Sequence, residues 1–212
     1  MKPRTSTYLF AAMAVAVLLA IPLSVPAAQQ DTTGQQPDGT SDTAVALPVP
    51  VTLVRLSAAT TASSYTAGTS IGIVATLTNR SGQALGLSNI EDGNLVVTSV
   101  TLGDAVVASL GSMTNYEDGF PLALSGSLVS IANGGSLSIP WSSDFVQDFG
   151  GEGLKATAYT GADIGTSTYY DLSQPGTYKV TFHYKYKGPT SSFPGTVFTG
   201  KTNSVTVTFT VV

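Results

Sequence analysis

The sequence predicts an all-β fold, built as a two-sheet antiparallel sandwich of about seven to nine short strands. Three observations favour this fold. Apolar and polar residues alternate along several segments, turn residues recur about every ten residues, and no segment beyond the N-terminal region has a convincing helical period. A closed barrel is the alternative architecture.

The clearest strand pattern lies at the end of the chain. Residues 204–212 (SVTVTFTVV) place valine and phenylalanine on one face and serine and threonine on the other. Residues 178–187 (YKVTFHYKYK) alternate in the same way, with an aromatic face opposite a cationic one. Residues 70–80 (SIGIVATLTNR) and 51–56 (VTLVRL) predict two further strands. Half-buried strands of this kind are typical of a sandwich.

Turn residues predict two hairpins. Residues 95–110 fold around Gly103-Asp104, and residues 127–141 fold around an Asn-Gly-Gly turn at 133–135. Pro140 cannot donate a backbone hydrogen bond, so the second hairpin ends in an edge strand. Residues 143–149 are expected to form at most one or two helical turns.

The first 27 residues have the pattern of a cleaved secretory signal. Lys2 and Arg4 precede an uncharged apolar run that is too short for a membrane span of about 20 residues, and small residues follow it. Residues 29–43 lack large apolar side chains, and residues 28–47 are expected to be a disordered linker. Residues 48–212 then form one domain. We therefore expect a secreted or periplasmic protein with no membrane span after signal cleavage.

Composition excludes several classes of function. The chain has 212 residues, no cysteine, one histidine and a net charge of −4. The lack of cysteine excludes disulfides and thiolate metal sites, and a single histidine excludes a self-contained zinc-hydrolase site. An acidic chain also lacks the clustered cations that bind nucleic acid, so no nucleic-acid partner is expected.

Short motifs carry a resemblance to a known family. Residues 172–180 (LSQPGTYKV) resemble the tyrosine corner of immunoglobulin-like domains, with Gly176 and Tyr178 as its structural residues. Residues 65–73 (YTAGTSIGI) and 77–82 (LTNRSG) resemble the opening strands of bacterial secreted immunoglobulin-like modules. The layout is also similar to the non-catalytic β-domain of deuterolysin-type metalloproteases. The resemblance implies an immunoglobulin-like sandwich, without a His-Glu-x-x-His motif or the family's inter-sheet disulfide.

Aromatic residues in and around residues 142–168 are the candidate binding residues. This segment is expected to be a long irregular loop, and such loops tend to be functional. Exposed aromatic rings stack on sugars or anchor protein partners. The candidates are Trp141, Phe145, Phe149, Tyr159, Tyr169 and Tyr170. Trp141 has an alternative place in the core, because it alternates in phase with Leu137 and Ile139.

Acidic loop residues are the candidate metal ligands. Glu91, Asp92, Glu117 and Asp118 can supply the oxygen ligands that calcium prefers, although no calcium-loop spacing is present. The alternative is that these residues only form turns. No other cofactor is expected. A pair of loop carboxylates is also what a glycoside hydrolase would need.

The cationic face of residues 178–187 is formed by Lys179, Lys185, Lys187 and His183. This face can contact an anionic polymer such as a surface polysaccharide, or it can simply be solvated and discourage aggregation.

Together these features predict an exported, non-catalytic binding or structural module at the bacterial cell envelope or in the extracellular space, with a protein or polysaccharide surface partner. One alternative is a secreted protease inhibitor that acts through an extended loop at residues 188–200, with Phe193-Pro194 as its rigid point. The other alternative is a secreted hydrolase that uses loop carboxylates.

Overall fold

A computed structural model describes residues 53–116, 119–147, 150–161 and 163–212. These residues belong to one compact unit, Pro48–Val212, and the predicted signal and linker lie outside them. The elements in chain order are β1 Val54–Thr60, β2 Ser64–Tyr65, β3 Gly72–Asn79, β4 Leu85–Ser88, β5 Leu95–Leu102, β6 Ala105–Val106, β7 Ser109–Tyr116, α1 Phe120–Gly126, β8 Leu128–Ile131, β9 Ser136–Ser142, β10 Asp144–Val146, β11 Gly151–Gly161, β12 Ile164–Asp171, β13 Gly176–Tyr184 and β14 Val205–Val211.

The predicted all-β class is confirmed, but the strands are more numerous than expected. Fourteen strands and one short helix are present among the described residues, and the strands form four sheets. The sheets have the strand orders β1-β3-β9, β2-β14-β13-β5-β6, β10-β11-β12-β7 and β4-β8. No helix in this part of the chain is long and apolar enough to cross a membrane.

The three-stranded and five-stranded sheets share the main core. Trp141 of β9 packs edge-on against Phe182 of β13, with ring centroids 5.3 Å apart. Tyr178 of β13 stacks on Phe209 of β14 at 5.5 Å. The alternation predicted for residues 204–212 is confirmed, because Val207, Phe209 and Val211 are buried while Thr206 and Thr208 are exposed.

Tyr178 is tied to the turn that precedes β13. Its phenol donates a hydrogen bond to the carbonyl of Gln174, 3.0 Å away, and burial raises its pKa. Gly176 has a φ of 144°, and a Cβ at this position would lie 2.5 Å from Leu102 Cδ1. Both the backbone conformation and the space therefore favour glycine here.

The two predicted hairpins need correction. The turn at Gly103-Asp104 is present, but the strand that returns beside β5 is only β6, two residues long. The Asn-Gly-Gly turn joins strands that do not pair with each other, since β8 pairs with β4 and β9 pairs with β3. Turn residues specify a change of direction, whereas the pairing is decided by packing elsewhere in the chain.

Residues 142–168 are not a long irregular loop. Among the described residues of this segment, β10 and β11 pair, and β11 pairs with β12 over most of its length. The predicted helical turns at 143–149 are also wrong, because Asp144–Val146 is a strand. The alternation of apolar and polar residues is hard to recognise here, because small polar residues take buried positions. Thr157 and Ser167, for example, are buried and hydrogen-bonded to each other at 3.1 Å.

The helix α1 was not predicted. It follows Gly119, has proline in its first turn and buries Phe120 and Leu124. A seven-residue helix is too short for a recognisable helical period, so only the proline marked its start.

Candidate anion-binding site

Trp141 occupies the core and not the surface. Its side chain is 4% exposed, and its indole Nε1 donates a hydrogen bond to the carbonyl of Lys155 at 3.0 Å. Trp141 therefore takes the alternative core position that its phase with Leu137 and Ile139 indicated. Its ring is not available to stack on a ligand.

The other predicted aromatic residues lie in several environments. Phe145 on β10 is 62% exposed, whereas Tyr159 packs edge-on against Phe120 of α1 with ring centroids 5.5 Å apart. Tyr169 and Tyr170 on β12 are half-buried. Phe149 lies outside the described residues. The described members of the predicted set therefore do not form one exposed stacking platform.

The acidic loop before β5 is tied into the fold. Asp92 forms an ion pair with Lys155, with its Oδ2 3.2 Å from Nζ, and the Glu91 carbonyl accepts hydrogen bonds from the amides of Asn94 and Leu95. The other two predicted ligands, Glu117 and Asp118, lie outside the described residues. No group of three or more metal-ligating side chains occurs within the part of the chain that the structure describes.

The predicted inhibitor loop packs onto the domain. Val197 forms a bridge with Gly86, Phe198 is buried, and Phe193 is half-buried against the core. The Tyr186 phenol donates a hydrogen bond to the Pro189 carbonyl at 2.6 Å, and burial raises its pKa to about 12. Phe193, Val197 and Phe198 of this loop are thus held by the domain itself, whereas Pro194 is exposed.

Lysine side chains concentrate around the end of β13. Lys185 lies directly opposite Lys201 in an isolated antiparallel bridge. Lys187 is exposed just after Lys185, and Lys179 is exposed near the start of β13. These four are the majority of the seven lysine and arginine residues in the described ranges. The ion pair found in those ranges joins Lys155 and Asp92, and none of the four lysines takes part in it.

Two like charges opposite each other on neighbouring strands repel, so this arrangement costs stability unless an anion lies between them. We call Lys185, Lys201 and the adjacent His183 the cation cluster. Regular alternation places His183 and Lys185 on the outer face of β13, because Phe182, Tyr184 and Tyr186 are buried on the inner face.

His183 is the least exposed member of the cation cluster. It is 6% exposed, and its Nδ1 is buried with no hydrogen-bond partner among the described residues. Burial lowers its pKa below 6.5, and the positive charges of Lys201 and Lys185 lower it further. The imidazole is therefore neutral at pH 7 and sits within the field of both lysines.

A small cleft lies beside the cross-strand neighbour of His183. Val96 of β5 is the cross-strand neighbour of His183, and it lines a cleft of about 90 Å³ together with Ala156, Thr168 and Tyr170. Burial raises the pKa of Tyr170. Tyr170, one of the predicted binding residues, thus lines the same cleft as Val96, the cross-strand neighbour of His183.

Threonine hydroxyls cover the rest of the outer face of the five-stranded sheet. The hydroxyls of Thr181 and Thr206 are 2.8 Å apart, those of Thr177 and Thr210 are 3.4 Å apart, and Thr208 is exposed. The face thus offers cations at one end and neutral donors and acceptors along the strands.

Sequence reasoning identified the cationic face but missed Lys201. No pattern marks this residue, because it enters the cluster only through its bridge to Lys185, across the loop that separates them in the chain.

Comparison with protein-family models, with curated proteins and with solved structures finds no match to the chain.

Proposed function

We propose that the chain is an exported, non-catalytic binding module with an immunoglobulin-like sandwich, and that it binds an anionic polysaccharide at the cell surface. The observation that carries the proposal is the pairing of Lys185 with Lys201 beside the buried His183. Cations held together without a carboxylate partner in the described ranges attract carboxylate, sulfate or phosphate groups from solution.

The connectivity supports the immunoglobulin-like assignment. A sheet of β1, β3 and β9 faces one in which β13 lies between β5 and β14, and the short strand β2 runs parallel to β14. Tyr178 anchors to the turn before β13 as a tyrosine corner does. These features support an immunoglobulin-like sandwich to which the sheet of β7 and β10–β12 is an addition.

The composition of the outer face favours a polysaccharide over other polyanions. A polysaccharide presents many hydroxyls beside its anionic groups, and the threonines along the same outer face can exchange hydrogen bonds with them. The net charge of −4 disfavours a highly charged duplex such as DNA.

The test is a titration of the protein with polygalacturonate, measured by isothermal titration calorimetry. Neutral dextran is the control ligand. We expect polygalacturonate to bind and added salt to weaken binding, because exposed charges are screened within about 10 Å at 0.1 M salt. The double variant Lys185→Gln/Lys201→Gln should bind about tenfold or more weakly, which corresponds to about 1.4 kcal/mol.

Arg55→Gln is the matched control, since it removes an exposed positive charge from β1 in the other sheet. It should leave the affinity unchanged. The proposal is wrong if dextran binds as well as polygalacturonate, if neither binds, or if the double variant retains full affinity.

A further inference from the structure

The cleft beside Val96 lies between two sheets. Val96 lines it from the five-stranded sheet, and β11, which packs against β5, supplies the facing wall together with β12. The residues of that facing wall include Ala156, Ala158, Thr168 and Tyr170. A cleft of about 90 Å³ has room for a few water molecules. It can therefore accept part of one unit of a polymer, but not a longer stretch.

The wall that faces Val96 has an apolar row next to a row of hydroxyls. The two alanines of β11 pair with Thr168 and Thr166 of β12. Across the next pairing, the Thr168 hydroxyl lies 2.9 Å from that of Ser112, and the Thr166 hydroxyl lies 3.1 Å from that of Thr114. A hydroxyl has one donor and two acceptor positions, so each of these pairs keeps free capacity for a ligand.

Tyr170 adds a further hydroxyl to the cleft. Its side chain is half-buried, and its phenol has no hydrogen-bond partner among the described residues. A polar group that is partly withdrawn from water without a partner costs free energy, and a hydroxyl of a ligand can supply that partner.

The chemistry of the cleft fits a neutral sugar better than an acidic one. A sugar ring has apolar C–H groups and a rim of hydroxyls, which match the alanine row and the hydroxyl row. None of the described residues that line the cleft is positively charged. A carboxylate placed here would lose its hydration without gaining a cation, which costs far more than burying a hydroxyl.

The cleft and the cation cluster are close enough to bind neighbouring units of one chain. Val96 and His183 are directly opposite each other on β5 and β13, so their Cβ atoms lie about 5 Å apart on the same face. Lys185 is two residues beyond His183, which is about 7 Å along an extended chain.

We propose that this cleft is a subsite for a neutral sugar unit, and that the preferred ligand is a polysaccharide in which neutral sugars alternate with acidic ones. The inference rests on the function proposed above, because the cation cluster holds the acidic unit. The cleft then selects among anionic polysaccharides by the unit that lies next to the acidic one.

The experiment compares two oligosaccharides of equal length by isothermal titration calorimetry in about 0.15 M salt. Hyaluronate hexasaccharide alternates glucuronate with neutral N-acetylglucosamine, whereas every unit of hexagalacturonate is acidic. Charge alone favours hexagalacturonate, which has twice as many carboxylates. We expect the hyaluronate hexasaccharide to bind about fivefold more tightly, because its neutral unit gains hydrogen bonds in the cleft.

Two variants locate this preference in the cleft. Ala158→Leu fills the cleft from an exposed strand position and should abolish the preference for hyaluronate. Ala59→Leu makes the same change at an exposed position of β1 and should keep the preference. Tyr170→Phe removes only the phenol hydroxyl and should weaken hyaluronate binding about fivefold. Circular dichroism melting checks that each variant is folded.

The subsite and the proposed function fail in different ways. Hexagalacturonate that binds as tightly as hyaluronate or more tightly, or an Ala158→Leu variant that keeps the preference, would overturn the subsite alone. A protein that binds neither oligosaccharide would overturn the proposed function and the subsite together.

Discussion

The two faces of β13 show how one strand serves two purposes. The inner face carries Tyr178, Val180, Phe182 and Tyr184, all fully buried between the two main sheets. The outer face carries Lys179 and His183, with Lys185 directly after the strand, and these two lysines have no ion-pair partner among the described residues. The inner face explains why the chain folds, while the outer face is where we place binding.

The comparison also shows which of the two faces lowers the stability of the fold. Aromatic residues on the inner face gain free energy from burial, whereas two lysines in register and an imidazole with a buried, unpartnered nitrogen oppose folding. Groups that weaken a fold but are held in place by it are typical of functional sites.

The largest expected effect is on the inner face. Phe182→Ala removes a fully buried ring that packs against Trp141, so the free energy of unfolding should fall by about 3–5 kcal/mol. Urea denaturation followed by tryptophan fluorescence measures this directly, because Trp141 is the only tryptophan.

Lys201→Gln is the outer-face control for that measurement. It should leave stability unchanged or raise it slightly, since it relieves the repulsion with Lys185. A loss comparable to that of Phe182→Ala would mean that the cation cluster is part of what holds the fold.

A smaller effect is expected from Tyr178→Phe. The variant keeps the ring stacked on Phe209 and loses the hydrogen bond to the Gln174 carbonyl, which should cost about 1 kcal/mol. Thermal melting measures it. Thr181→Val, which removes an exposed hydroxyl from the outer face, should change the melting temperature much less, and equal losses would contradict the distinction between the faces.

The sequence predicted the inner face well because burial repeats every second residue there. The contact between Lys185 and Lys201 could not be predicted from the sequence, because it depends on how the loop between these two residues folds back beside Lys185. The sheet of β7 and β10–β12 escaped prediction for a different reason. Its strands are rich in glycine, serine and threonine, and small hydroxyl residues such as Thr157 are buried where apolar residues are expected.

The most direct test of the central claim uses the single histidine. The imidazole of untagged protein gives one set of NMR signals, and their pH titration reports the pKa of His183 in the cation cluster. Without ligand we predict a pKa below 6.5, because burial, Lys201 and Lys185 all disfavour the charged imidazole.

Saturating polygalacturonate should raise that pKa, since a bound anion offsets the lysine charges and favours the protonated imidazole. A His183 titration that is the same with and without polygalacturonate would contradict the account.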